Sequence, residues 1–394
     1  MQKLFFIFLA LLFAGYSQFS CAAVRGSNEA VLIDSKILGE TRELLIHLPN
    51  NYRLYENKQY PVLFLLDGQR NLNHVAGTLD LLNQSNMAQE MIIIAIMNTH
   101  RTRDFTPTRN PDYDEWGISG GADDFLSFIG QELIPHVDEN FRTNGLRILS
   151  GHSLGGLLTV YALHTRPALF QAYFAFSPNL WWHDEVIFKQ ARDFYQNTPE
   201  LNKYLYVNLG SEDGQMQSAF ERFTSLLGER VPDGFVYNMD LDTSETHNTI
   251  ALAGHALALK HFNNLLLPAR DVLEKGEKAV LQFYADQSER YSFNAKPVYK
   301  AINYLGYKAL GEKDFKNAIT LFKKNVRTFP EMADAYDSLA DGYQANGELV
   351  KALKMRTLAV EKSISENVEA GAYKTRKANL LKLMRDGKTD SQGR

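Results

Sequence analysis

Six apolar runs separated by amphipathic stretches organise the first two thirds of the chain: YPVLFLLDG at 60–68, MIIIAIM at 91–97, LRILSG at 146–151, AYFAFS at 172–177, YLYVNLG at 204–210 and FVYNMDL at 235–241. Such short runs, apolar at nearly every position, are expected of strands buried on both faces. Two earlier strand-like runs, AVLIDS and RELLIHLP, lie within 28–48 and are joined by a turn containing Gly39. Helical periodicity fills 121–139, 154–165, 185–196 and 216–229. Strand alternating with helix predicts an α/β domain with a mostly parallel sheet covered on both faces. Right-handed crossovers then bring the strand C-terminal ends to one rim, where such folds place their sites.

Past residue 268 the strand pattern stops and the chain reads as helix. AINYLGYKALGEKDFKNAITLFKKNVRTFP begins at Ala301 and AYDSLADGYQANGELVKALKMRTLAVEKS at Ala335, an offset of 34 residues. Leu305 and Leu339, Gly306 and Ala340, and Ala318 and Ala352 fall in register, and Pro330 closes the first unit. The period and the alternation of small and large positions resemble the tetratricopeptide repeat. The expected division is an α/β domain over 24–268 and a smaller all-α domain over 269–394, with repeats at 301–334 and 335–368. Flanking helices at 270–294 and 369–386 would cap so short an array. The array is expected to pack beside the active-site rim or to mediate self-association, with a protein partner as a further use.

The first residues, MQKLFFIFLALLFAGYSQFSCAAV, place Lys3 before an apolar block and small residues after it. This predicts a secretory signal peptide over 1–23, cleaved before Val24, and a periplasmic product. The block is shorter than the ~20 residues of a membrane span. A lipoprotein site at Cys21 is the rival reading, but Gln18 and Phe19 depart from its pattern. Cys21 is the single cysteine, so cleavage after it would exclude disulfides, a thiol nucleophile and thiolate metal sites. The net charge of -4 gives no reason to expect nucleic acid or an anionic membrane as partner.

Candidate chemistry centres on ILSGHSLGGLLTVYAL at 148–163. Ser153 follows a strand, precedes a helix and stands between Gly151 and Gly155, which is the G-x-S-x-G nucleophile elbow in its proper setting. Side chains at 151 and 155 are expected to clash with the turn. A serine nucleophile needs a base, and the base needs an orienting group. The run ending at 210 is followed by Glu212 and Asp213, and the run ending at 241 by DTSETHNTIA with His247. Ser153, Asp213 and His247 therefore follow three strands in the order serine, acid, histidine, with Glu212 as the reserve acid. His255 and His261 sit in an apolar helical pattern and read as packing residues, while His152 is expected to point away from the site. The oxyanion donors would be the backbone N–H groups of Leu154 and Gln69.

These residues resemble the putative esterase family of α/β-hydrolases, in its siderophore-esterase-like branch. YPVLFLLDGQR, RTRDFTPT, ELIPHVDENFRT, GHSLGGL and FSPNLWW carry the resemblance over most of 35–267. It implies an α/β-hydrolase fold and hydrolysis of a small-molecule carboxylic ester through an acyl-enzyme, with no metal or organic cofactor. It also supports Gln69, since the residue after the glycine in the similar loop of mycolyl transferases donates an oxyanion N–H. The family's acid varies, and some siderophore esterases work with a serine–histidine pair. Arg101 and Arg103 lie at the expected rim, where they would bind an anionic substrate or tie down their own loop; Arg103 matches the family motif. Trp181 and Trp182 are candidates for an aromatic wall, with one of the two expected in the core. Acyl transfer to another acceptor, and a repeat-based scaffold with an idle hydrolase domain, are the alternative functions.

Overall fold

A computed structural model describes residues 27–229 and 231–391. The segment read as a signal peptide, with Cys21, lies outside them. The sheet is built from β1 (Ser27–Ser35), β2 (Glu40–Leu48), β3 (Tyr60–Leu65), β4 (Ile92–Ile96), β5 (Thr143–His152), β6 (Ala172–Phe176), β7 (Tyr204–Leu209) and β8 (Val236–Leu241). Their spatial order is β1-β2-β4-β3-β5-β6-β7-β8. The pairs β1/β2 and β2/β4 are antiparallel, and every other pair is parallel. This is the α/β-hydrolase arrangement.

The hydropathy pattern explains who sits in the middle. Every residue of β3, β4, β6 and β7 is buried. Burial in β2 instead alternates over most of its length, as befits a strand near the edge. One face of the sheet is covered by helices including Leu154–Thr165 and Gly214–Glu229, which contribute Leu157, Leu158, Phe223 and Leu227 to a common core. The other face is covered by Gly68–Gln84 and Ile250–Leu266, through Leu72, Val75, Leu259 and Phe262. The stretch 121–139 is not one regular helix. Ala122–Phe128 runs through a π turn at Ile129–Leu133 into Ile134–Asn140, just where Pro135 removes a backbone donor.

The C-terminal region is helical and has its own core around Leu305, Phe322, Leu339 and Ala352. Helices Tyr299–Gly311 and Phe315–Thr328 form one hairpin, and Ala333–Ala345 and Leu349–Ser365 form the next. Helix starts recur at the 34-residue offset, as do the left-handed turn residues Lys313 and Gly347. Among the described residues no helix is long and apolar enough to cross a membrane.

Among the described residues, the helical region is anchored to the sheet away from the rim formed by strand C-terminal ends. Asn294 bonds the Asn144 carbonyl at 2.8 Å and Gln59 at 3.0 Å, and Arg290 donates to the Gly234 carbonyl at 2.8 Å. Those partners stand at the starts of β5, β3 and β8. The Tyr55 hydroxyl, in the loop before β3, also bonds Glu366. The expectation of packing beside the active-site rim is therefore corrected: these anchors lie at the opposite edge, because polar groups flanking the strand starts supply them.

Candidate active site

Loops after six strands converge at the C-terminal rim. Ser153 follows β5 directly, with φ of 61° and ψ of -119°. That conformation is strained for a residue with a side chain, and it is held by hydrogen bonds from Ser153 N to the Phe176 carbonyl and from Leu157 N to the Ser153 carbonyl. A Cβ at Gly151 would lie 2.2 Å from the Gly155 carbonyl oxygen, so that glycine is obligatory. The expectation for Gly155 needs correction, since a Cβ there meets its nearest atoms at 3.4–3.5 Å, an ordinary contact. The crowded partner is Gly156, where a Cβ would stand 3.0 Å from Pro178.

Ser153 Oγ lies 3.1 Å from His247 Nε2, and His247 Nδ1 lies 2.9 Å from Glu212 Oε2. Glu212 also accepts the hydroxyl of Ser177 through Oε1. Burial pushes the Glu212 carboxyl up, but hydrogen bonds from His247 and Ser177 outweigh it and hold the group below its ordinary range. It is therefore a carboxylate near neutrality and fixes the proton of His247 on Nδ1. Nε2 is left as an acceptor facing the serine hydroxyl. The acid and the base are held in register because Ser211 N bonds the Glu245 carbonyl at 2.6 Å, tying the loop after β7 to the loop after β8. Gly210 permits that approach, since a Cβ there would stand 2.9 Å from the Glu245 oxygen.

Asp213, the acid first favoured, is exposed and does not bond His247. Successive side chains diverge as the chain leaves β7, and the one turned inward is that of the reserve, Glu212. Leu154 occupies the first helical position after Ser153, and Gln69 the second position of the helix Gly68–Gln84. First-turn N–H groups have no partner within their own helix, so both are free to point at a ligand. Gln69 Oε1 additionally accepts from Asn98 N at 3.2 Å, linking the loops after β3 and β4.

Arg103 is not available to a substrate. Its guanidinium bonds both oxygens of Glu40 and also Asp104, beside the fully buried Arg42. The substrate-binding role expected of Arg103 is replaced by an ion-pair network that ties its own loop to β2. Arg101 is likewise committed, to Asp67 at 2.6 and 3.0 Å and to the His152 carbonyl at 3.2 Å. The two tryptophans divide as expected. Trp182 is fully buried, whereas Trp181 is half-buried and lies in a cluster with Tyr113 and Trp116. A groove lined by Trp181, Asp184, Glu185, Gly214, Gln215, Ser218 and Arg222 includes one face of this cluster.

Three residues at the centre went unrecognised in the sequence. Ser177 steadies Glu212. Asn179 places Oδ1 2.9 Å from Ser153 Oγ. His152 donates from Nε2 to the His247 carbonyl at 2.6 Å rather than pointing away. Burial and then the neighbouring His247 push the His152 imidazole down to about 4, so it stays neutral. All three lie within four residues of a strand end at this rim, and that proximity is the signal that could have found them. His255 is buried as expected, bonding Ala251 O at 2.6 Å and Ser150 Oγ at 2.8 Å. Among the described residues no cluster of His, Cys, Asp or Glu is arranged to hold a metal ion.

Residues 35–230 match the family model described as "Putative esterase". The chain belongs to this esterase family. Within it, the chain is similar to the ferri-bacillibactin esterase BesA of Bacillus subtilis, with 32% identity over 174 residues, 39% of this chain and 59% of that protein. It is also similar to a siderophore triacetylfusarinine C esterase of Aspergillus fumigatus, with 44% identity over 97 residues, 23% of this chain and 33% of that one. The chain thus spans less than two thirds of the length of either relative. A crystal structure of an IroE-like serine hydrolase from Shewanella oneidensis superposes with a TM-score of 0.66 at 27% identity, covering 76% of this chain and 99% of that one. The esterase match ends before the loop that carries His247, so the histidine of this family member rests on the geometry above.

Proposed function

We propose that the protein is a serine carboxylic-ester hydrolase that works through an acyl-enzyme. The observation that carries this reading is the continuous hydrogen-bond chain Ser153–His247–Glu212 at a strained strand-to-helix turn. In acylation the hydroxyl proton passes to His247 Nε2 as Oγ bonds the acyl carbon and the carbonyl electron pair moves onto oxygen. The N–H groups of Leu154 and Gln69 would stabilise that oxyanion. Collapse breaks the bond to the alcohol, which leaves with the proton from Nε2. Water then attacks the acyl carbon, gives a proton to Nε2, and releases the acid as Oγ regains its own.

The substrate class we propose is siderophore-type esters, supported by the names of the two relatives and by the half-buried Trp181 with Tyr113 and Trp116 beside the site. We read the C-terminal hairpins as tetratricopeptide-like, and residues 1–23 as directing export to the periplasm. The test is turnover of a p-nitrophenyl ester, followed by a panel of siderophore and feruloyl esters. Ser153→Ala should abolish turnover with the fold intact, and turnover unchanged in that variant would remove the reading.

A further inference from the structure

We infer that the side-chain amide of Asn179 is a catalytic hydrogen-bond donor to the nucleophile oxygen itself. This rests on the serine-hydrolase reading and extends it to a residue outside the triad and the two backbone donors.

The argument is one of proton count. A carboxylate only accepts, so the Nδ1 proton of His247 is committed to Glu212, 2.9 Å away. Nε2 then has a lone pair and no proton, and the single hydroxyl proton of Ser153 is directed to it across 3.1 Å. Nothing remains on that hydroxyl to donate to Asn179. An amide oxygen 2.9 Å from Oγ would set two acceptors against each other, with the Asn179 side chain itself buried. The two ends of a carboxamide are nearly identical in shape, and their assignment follows from the hydrogen-bond network. The other end of the Asn179 amide makes no hydrogen bond among the described residues, so a half-turn about its last torsion loses no bond. After that turn Nδ2 donates to Oγ, and each of the three groups has a consistent role.

The amide is held firmly where it is. Asn179 is 7% exposed; its N–H bonds the Ser153 carbonyl at 3.2 Å, and its own carbonyl accepts from Trp182 N at 3.1 Å. A donor fixed on Oγ acts at both chemical steps. Negative charge builds on Oγ as its proton leaves in acylation, and again as the C–Oγ bond breaks in deacylation. A preorganised N–H stabilises that charge without reorganisation. In the resting enzyme the same bond occupies one lone pair and leaves the hydroxyl proton aimed at Nε2.

The test compares Asn179→Ala and the near-isosteric Asn179→Asp with the unaltered protein. Acylation of a p-nitrophenyl ester is followed by burst kinetics, and the rate of fluorophosphonate labelling is measured alongside, each normalised to active sites counted by the label. Both variants should acylate and label about 10²-fold more slowly per site, with KM changed less than about threefold. Asn179→Asp also adds a negative charge near His247, so the acidic limb of its kcat/KM profile should move up by about one pH unit. A residue that merely ties the loop after β6 would lower Tm and the number of competent sites, leaving the rate per site in place; the limb shift reports only that position 179 faces His247. Per-site rates within about threefold in both variants overturn the inference, whatever the limb does, and leave the serine-hydrolase reading standing. Turnover surviving in Ser153→Ala overturns that reading instead.

Discussion

Glu212 touches His247 with one carboxylate oxygen, Oε2 to Nδ1 at 2.9 Å, and accepts the Ser177 hydroxyl with the other. Both oxygens are thereby fixed, and the imidazole they orient cannot rotate without breaking the pair. Glu212→Gln should keep the shape but allow the wrong tautomer, lowering kcat by about 10²–10⁴. Asp213→Asn, one residue away and exposed, should leave kcat within about twofold. Steady-state kinetics on one ester separates the two, and equal losses in both variants would reject Glu212 as the acid.

Arg103 and Arg101 lie two residues apart with different consequences. Arg103 serves Glu40 and Asp104, and in its absence the buried Asp104 keeps Arg42, 2.7 Å away. Arg103→Ala should therefore cost about 1–3 kcal/mol of stability and leave KM within about twofold. Arg101 braces Asp67 and the carbonyl next to the nucleophile, so Arg101→Ala should reduce kcat by about tenfold. Urea unfolding and kinetics on both variants check this. A large rise in KM confined to Arg103→Ala would restore a substrate role to it.

The central strands β3, β4, β6 and β7 were legible because each is a short run of buried side chains, whereas β2 and β8 were read from their β-rich composition although they are only partly buried. Ser153 and His247 were legible because strand ends share a rim and the chain supplies the two in order. The helix Gly68–Gln84 was not read: Leu72, Val75, Leu79 and Leu82 have helical spacing but are diluted by Asn, Gly and Gln. The choice between Glu212 and Asp213 depends on which way the chain turns after β7, and that is set by the bond from Ser211 to Glu245, distant in sequence. Ser177 and Asn179 lie within FSPNLWW, but nothing in that run alone marks either as a site residue. Their roles exist only once the loop after β6 is laid against the elbow.

Buried histidines give the protein an acid liability. Desolvation lowers His164 and His255 to about 3, and desolvation with the charge of His247 lowers His152 to about 4. The unfolded chain protonates each near its ordinary value of about 6.5, so between that pH and the folded values the unfolded state binds more protons. The stability they contribute is complete above about pH 6.5 and is lost as pH falls toward 4 and 3. Near pH 5.5, unfolding should take up about three protons from these groups alone. Calorimetry in two buffers of different ionisation enthalpy reads the number directly. Uptake near zero would mean that these imidazoles are not held neutral.

Tyr291 belongs to the helical region by sequence but to the sheet's core by packing. It is 2% exposed, lies edge-on to Phe262 with ring centroids 6.4 Å apart, and shares the core that includes Tyr204 and Leu266. A chain ending after residue 268 loses this cover together with the Asn294 and Arg290 anchors, and should melt at least about 10 °C below the full chain or precipitate. A chain ending after residue 297 keeps them and should recover most of the loss. In the full chain, Tyr291→Ala should cost about 3 kcal/mol, yet kcat should stay within about twofold, because the anchors lie at the strand starts and Ser153 at the strand ends. Thermal melts with parallel ester assays decide the matter. A stable, active 1–268 fragment would show that the helices from 277 onward are an independent appendage.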